Sequence, residues 1–510
     1  MPRNPGSPRS GGGFRVSRWD GAEQRVKYRT VRMKRASLVI GVLASTIMLN
    51  AQATLYPEKL RSDIEVLRAA IHSAHPDPYR YITRGELDAL FDSVRDSITE
   101  PLTTDRFQLR MLSVLHRIGD SRLRLEPDTA DMKERMASAT LPPFEVKVLD
   151  EGLYIAEELK GFRSFAPGSR IVSVNGISSA RLLRDLGAWV VCDGSSQACR
   201  AHAIEDRFLE LFLLTYGHAA KYVVEVEGPD GGIREEVVTG LRVDEMNRTR
   251  KPSGLSLHPW RTTWEPESAT LWATFTTLEP AALEASGQRP RAFVEAMLKE
   301  LRSLDARVLV IDLRGTGGTE LGMAEVLFAA IARAPFRVLQ GITVRAGQSH
   351  ALPGLAELPD DYLVSLDRNY LPVRNGVHAL RPDDPRLTPV QPARHAFGGK
   401  VYVVCDGGTR DAAAAFAMLA KRSSRARLVG HEVGANAHSF TGGRTITVLA
   451  PNTGLRLQVP LLRYIPDGST DAPADRGESP HHVVSQQPWG IATGRDAVRS
   501  ALLEMIRELN

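Results

Sequence analysis

The first half of the chain alternates between two hydrophobic periods, and the switches between them mark its segments. Leu60, Ile64, Leu67 and Ile71 recur at helical spacing and predict one apolar helix face. His75-Pro76-Asp77-Pro78-Tyr79 ends that helix, because a proline pushes the residue before it out of the helical region. Leu87, Leu90, Phe91, Val94 and Ile98 predict a second helix. Phe107, Met111, Leu115 and Ile118 predict a third, capped by Thr103 or Thr104. After Gly119-Asp120-Ser121-Arg122 the apolar positions, Leu123 and Leu125, begin to alternate. Residues 54–130 therefore read as an N-terminal helical segment.

Alternation dominates the next stretch, 141–242. Phe144, Val146 and Val148 alternate, Leu153-Tyr154-Ile155 follow a turn, and Pro167-Gly168 leads through a short strand to Asn175-Gly176, a two-residue hairpin signal. Residues 177–216 read as mostly helical, and a hairpin turns at Pro229-Asp230-Gly231-Gly232. Residues 246–268, rich in Arg, Thr, Ser and Pro, read as a linker. From 265 to 510 the pattern changes again. Val308-Leu309-Val310-Ile311 is a branched apolar run without alternation, expected of a strand buried on both faces. It breaks into Asp312-Leu313-Arg314-Gly315-Thr316-Gly317-Gly318, and helical spacing resumes over 321–331. Lys400-Val401-Tyr402-Val403-Val404-Cys405 repeats the design, passing through Gly407-Gly408-Thr409-Arg410-Asp411 into an alanine-rich helix over 412–421. Residues 346–398, dense in proline, read as a long loop or insertion. The fold class is thus α/β, a mixed sheet with flanking helices, preceded by a helical segment and a small β-rich module.

Charge changes the picture less than its total suggests. The net charge of the 510 residues is +5, but residues 1–35 hold ten Lys/Arg against two Asp/Glu, which leaves the rest of the chain at −3. The basic excess is therefore local and gives no case for nucleic-acid binding. Met33-Lys34-Arg35, the apolar run over 36–49 and Ala51-Gln52-Ala53 make the three parts of a secretory signal peptide, residues 33–53. Residues 1–32 then form a disordered or non-native leader, with Met1 and Met33 both open as the start. Export to the periplasm or the extracellular space is the expectation, with membrane attachment only if the signal stays uncleaved. The chain has three cysteines. Cys192 and Cys199 are close enough in sequence to bridge in an oxidising compartment, Cys405 reads as a core residue, and no spacing suggests a metal site.

Taken together, the order of segments and the Asp312-Leu313-Arg314-Gly315 and Gly407-Gly408-Thr409 turns resemble the C-terminal-processing, or tail-specific, serine peptidases, in their tricorn-core-like branch. The Pro167-to-Gly176 stretch is similar to a PDZ-like module, which in that family binds extended polypeptide. The resemblance implies peptide-bond hydrolysis without a cofactor, by a serine that opens the helix after the second glycine turn. Here that position is Asp411, and the glutamate that follows in the family falls on Ala414 or Ala415. The family's histidine base falls on Arg122, beside Ser121. The alternative lysine base is missing from Gly434-Ala435-Asn436. An oxyanion hole is implied at Gly317 or Gly318 and at Ala412. Glu478 stands where the tricorn branch places an orienting glutamate, with a solvated loop residue the simpler expectation.

A carboxylate is not an activated hydroxyl, and a guanidinium does not deprotonate at working pH. Whether the chain is an enzyme is thus open. The favoured expectation is a non-catalytic binder of polypeptide, with Arg122 and Asp411 paired if the fold brings them together. The alternative is an active serine-type peptidase with a displaced nucleophile, Thr409, Ser423, Ser424 or Ser439.

Overall fold

Helix signals in the N-terminal segment act where the sequence puts them. The computed structural model describes residues 53–150, 152–159, 163–249, 258–345, 351–359 and 362–508. The leader and signal segment expected over 1–53 lie outside these, apart from Ala53. Helix Pro57–Ala74 starts on its proline, and Arg84–Ser97 starts on a capping box in which Thr83 and Glu86 satisfy each other's amides. Helix Thr104–Ile118 stops at Gly119, whose φ of 62° suits the left-handed cap. A further helix, Thr129–Ser138, runs past the boundary expected at residue 130. Among the described residues no helix is long and apolar enough to cross a membrane.

Next comes a six-stranded antiparallel sheet whose main path runs from Ile233–Thr239 through Lys221–Glu227, Arg170–Val174 and Gly152–Glu158 to Phe144–Leu149. Helices Ser179–Gly187, Gln197–Asp206 and Phe208–Tyr216 pack beside it. The two ends of the module meet, since Leu141 pairs with Leu241 and Thr140 with Arg242.

The core sheet orders Trp260–Glu265, Thr270–Phe275, Val308–Asp312, Lys400–Cys405, Arg427–Gly430 and His482–Val483, with only the first antiparallel to its neighbour. Every residue of Val308–Asp312 is buried, and the reason is two-sided cover. Val308 and Val310 pack with Val498, Leu502 and Ile506 of helix Ala497–Glu508, while Leu309 and Ile311 face the main core. Each such side chain contributes about 1.5–3 kcal/mol by leaving water.

Two expectations need correction. The stretch read as a linker, 246–268, contains the edge strand Trp260–Glu265; its polar alternation comes from being half-exposed at the sheet edge. The stretch read as a loop, 346–398, contains strands Leu355–Glu357, Tyr370–Arg374 and Val377–Leu380 and helix Tyr362–Asn369. These join a second sheet built on the long hairpin of Phe440–Leu449 and Arg456–Pro466. Most of its prolines sit between short elements, and Pro372 lies inside the edge strand Tyr370–Arg374, where an unmade ladder bond is tolerated; together they hide the elements. The same sheet recruits the N-terminal segment: strand Arg124–Glu126 pairs with Arg456–Gln458, which fixes Arg122 against the core.

Candidate functional site

The two glycine turns meet at the C-terminal ends of adjacent parallel strands, where open α/β sheets gather ligands. Asp406 ties them, its Oδ1 accepting from the amides of Gly315 and Gly408, each at 2.9 Å. Arg410 donates its amide to the Thr316 carbonyl at 2.9 Å. The arginine of the first turn is structural. Arg314 pairs with Asp312, Nη2 to Oδ2 at 2.6 Å, and with Asp496 ahead of the closing helix at 2.7 Å.

Glycine is required in the second turn because the module leans on it. A Cβ on Gly407 would collide with the backbone of Ala198, and one on Gly408 with the ring of His202. Both belong to helix Gln197–Asp206, which the Cys192–Cys199 disulfide tethers. His202 Nδ1 stands 3.8 Å from Asp406.

Asp411 opens helix Asp411–Arg422 with φ of 55°, a left-handed conformation costly for most side chains. Its carboxylate is held by Arg122: Nε donates to Oδ1 at 2.9 Å, and Nη2 pairs with Oδ2. Burial opposes the arginine's charge, but Asp411 more than offsets this and raises its pKa. Asp411 Oδ2 lies 3.4 Å from the point where a Cβ on Gly317 would stand, so the carboxylate sits over the first glycine turn.

The oxyanion-hole expectation fails at Ala412. Its amide donates to the Gly318 carbonyl at 3.0 Å and does not point at an open site. Gly318 itself packs on Leu278, which an added Cβ would meet at 2.6 Å. Glu478 is not a solvated loop residue either. It is 1% exposed and paired with Lys421 at 2.7 Å and Arg422 at 3.1 Å, at the opposite end of the helix from Asp411.

Behind Arg122 lies a buried network that the sequence did not announce. His75 Nδ1 accepts the Asp77 amide at 3.1 Å, which leaves Nε2–H to donate to Asp120 Oδ2 at 2.9 Å. Asp120 Oδ1 accepts the Arg122 amide at 2.8 Å and the Thr441 hydroxyl at 2.7 Å. Burial works against the Asp120 charge, yet His75, Arg80 and Thr441 hold its pKa down to about 2. Asp193 accepts the amides of Ser121 at 2.8 Å and Asn436 at 3.2 Å. Burial, and then Asp120, push its pKa up to about 6. The sequence signal was faint: His75 and Gly119-Asp120 both end helices. Among the described residues, no group of three or more His, Cys, Asp or Glu could hold a metal ion.

With this geometry in place, comparison with protein families matches residues 282–484 to the model of peptidase family S41. These residues are an S41 peptidase domain. Solved structures extend the likeness of fold beyond the domain. Mature CPAF is 15% identical, with 88% of this chain and 96% of that chain covered and a TM-score of 0.61. Mature CPAF complexed with lactacystin is 14% identical, with 89% and 98% covered and a TM-score of 0.60. Comparison with curated proteins finds no match. Within the S41 domain, Asp411 stands at the start of the helix after the second glycine turn, and Arg122 reaches it from the N-terminal segment.

Proposed function

We propose that the protein is an exported, non-catalytic relative of the tail-specific peptidases that captures extended polypeptide. The observation that carries this reading is the Arg122–Asp411 pair, which puts a carboxylate and a permanent cation where acyl transfer needs a hydroxyl and a base. The engaged amide of Ala412 supports it, since charge developing there would find no free donor. So do the nearby hydroxyls. Thr409 donates to the Leu313 carbonyl at 2.8 Å, Ser423 to the Leu419 carbonyl at 2.6 Å, and Ser439 Oγ accepts from Arg463 Nε at 3.0 Å. None of these three is paired with a neutral base.

Polypeptide capture rests on the PDZ-like module. Strand Ile233–Thr239 has a strand partner on one side only and exposes Ile233 and Val237. An extended chain adding to that edge would gain main-chain hydrogen bonds. The opposite edge is closed, because Glu205 Oε1 accepts the Val148 amide at 2.8 Å. The disulfide between Cys192 and Cys199 supports export to an oxidising compartment.

Fluorescence anisotropy of a labelled, unfolded polypeptide tests the reading. Saturable binding is expected, weakened by Val237→Pro, which removes an edge amide. Absence of saturable binding overturns it.

A further inference from the structure

A cavity of about 400 Å³ opens beside the Arg122–Asp411 pair, between the N-terminal segment and the module's helices. Ser121 and Arg410, the neighbours of that pair in sequence, both line it. Its walls mix apolar side chains, Met132, Met136 and Leu112 among them, with the cations Arg124, Lys133, Arg207 and Arg410 and the carboxylates Glu126, Asp206 and Glu210. Arg207 in the wall is already paired with Glu210 at 2.6 Å. Arg124 and Arg410 are different: among the described residues neither guanidinium has an ion-pair or hydrogen-bond partner. Charges left this way are uncommon, because a guanidinium withdrawn from water is stabilised mainly by an opposing charge. Burial, together with the like charges of Arg122, Arg410 and Arg207, outweighs the attraction of Glu126 and holds the Arg124 pKa below its ordinary value. Gln108 and Trp189 line the same cavity, and Gln108 Oε1 and Trp189 Nε1 are buried without a partner.

We propose that this cavity binds a carboxylate carried by a polypeptide, with Arg124 and Arg410 as its cationic partners and an apolar neighbour of the carboxylate on the methionine wall. The proposal deepens the polypeptide-binding reading and rests on it. A planar fork of donors suits a carboxylate, which accepts two parallel hydrogen bonds from one guanidinium. An anion placed there would also relieve the repulsion among the arginines. The size of the cavity fits a short segment rather than a folded partner.

Calorimetric titration of the full chain with three short peptides is the test. One carries an internal Glu next to Leu and an amidated C-terminus, one has no acidic side chain and a free C-terminus, and one is neutral throughout. Inorganic phosphate is a fourth ligand. Tighter binding of either carboxylate peptide than of the neutral one, reduced about tenfold or more by both Arg124→Gln and Arg410→Gln, is the expected result. Which of the two binds tells a side-chain carboxylate from a terminal one. Both variants remove like-charge repulsion, so their melting temperatures should hold or rise, and this separates lost binding from lost fold. Equal binding of all three peptides, insensitive to both variants, overturns the cavity proposal while polypeptide capture stands. Arginine-dependent binding of phosphate alone also overturns it. If neither the peptides nor an unfolded chain binds, the cavity proposal and the polypeptide-binding reading fail together.

Discussion

Arg122 and Asp411, 289 positions apart in the chain, meet through two donor–acceptor contacts, with Arg122 Nε 2.9 Å from Asp411 Oδ1. The pair joins the N-terminal segment to the helix that leaves the second glycine turn, and it covers the first. Its consequences are mechanical as well as chemical. With side-chain exposures of 22% and 13%, both partners have given up most of their water.

The pair should therefore be coupled. Arg122→Ala or Asp411→Ala alone strands the other charge, at about 2–4 kcal/mol, somewhat under the cost in a fully buried pair. The double variant should lose clearly less than the two singles added together. Denaturant melts of the four proteins measure the cycle, and additive losses would mean that the contact carries no energy.

Asp411 also bears backbone strain. At φ of 55°, asparagine is tolerated better than alanine. Both substitutions remove the ion pair, but asparagine keeps an oxygen that can accept from Arg122, so their difference combines the backbone cost with that hydrogen bond. Asp411→Ala is expected to be about 1 kcal/mol less stable than Asp411→Asn, read from the same melts.

Asp193 gives the protein a pH dependence with a definite sign. Its folded pKa of about 6 lies above the ordinary 3.8 of an aspartate. Between these values the unfolded chain has released the proton and the folded chain still holds it, so this residue's contribution falls as pH rises and levels off above about 6. Asp120 works the other way: its contribution is present above 3.8 and is lost as pH falls toward 2. The melting temperature of Asp193→Asn, minus that of the unaltered protein, should rise from pH 4 to 6 and then flatten. A flat difference throughout would contradict the assignment.

The Cys192–Cys199 bridge closes a short loop, with a sequence separation of 7. Loop-closure entropy gives such a bridge about 2–3 kcal/mol. Replacing both cysteines by serine should cost that amount in denaturant melts, and a reducing agent should affect the unaltered protein alone. The loss should also loosen helix Gln197–Asp206 over Gly407 and Gly408, visible as faster amide exchange in the glycine turn.

Legibility in the sequence followed burial. Val308–Asp312 and Lys400–Cys405 were readable because a strand covered on both faces leaves an unbroken run of branched residues. Trp260–Glu265 was lost in a polar stretch because an edge strand keeps polar side chains on its open positions. Arg122 and Asp411 stood out only through the motifs they interrupt; no local pattern says that positions 289 apart touch. His75, Asp120 and Asp193 were invisible for the same reason. Each is an ordinary polar residue until the fold buries it, and burial is what gives it chemistry. Ala412 marks the opposite limit, since its place in the motif was plain but the acceptor of its amide was not.

The central claim is that the frame of a peptidase persists here without the atoms that attack and deprotonate. Turnover of an unfolded protein substrate, followed by mass spectrometry beside an Asp411→Ala control, tests it most directly. The account predicts intact substrate from both proteins, however long the incubation. Cleavage by the unaltered protein that disappears in Asp411→Ala would contradict it.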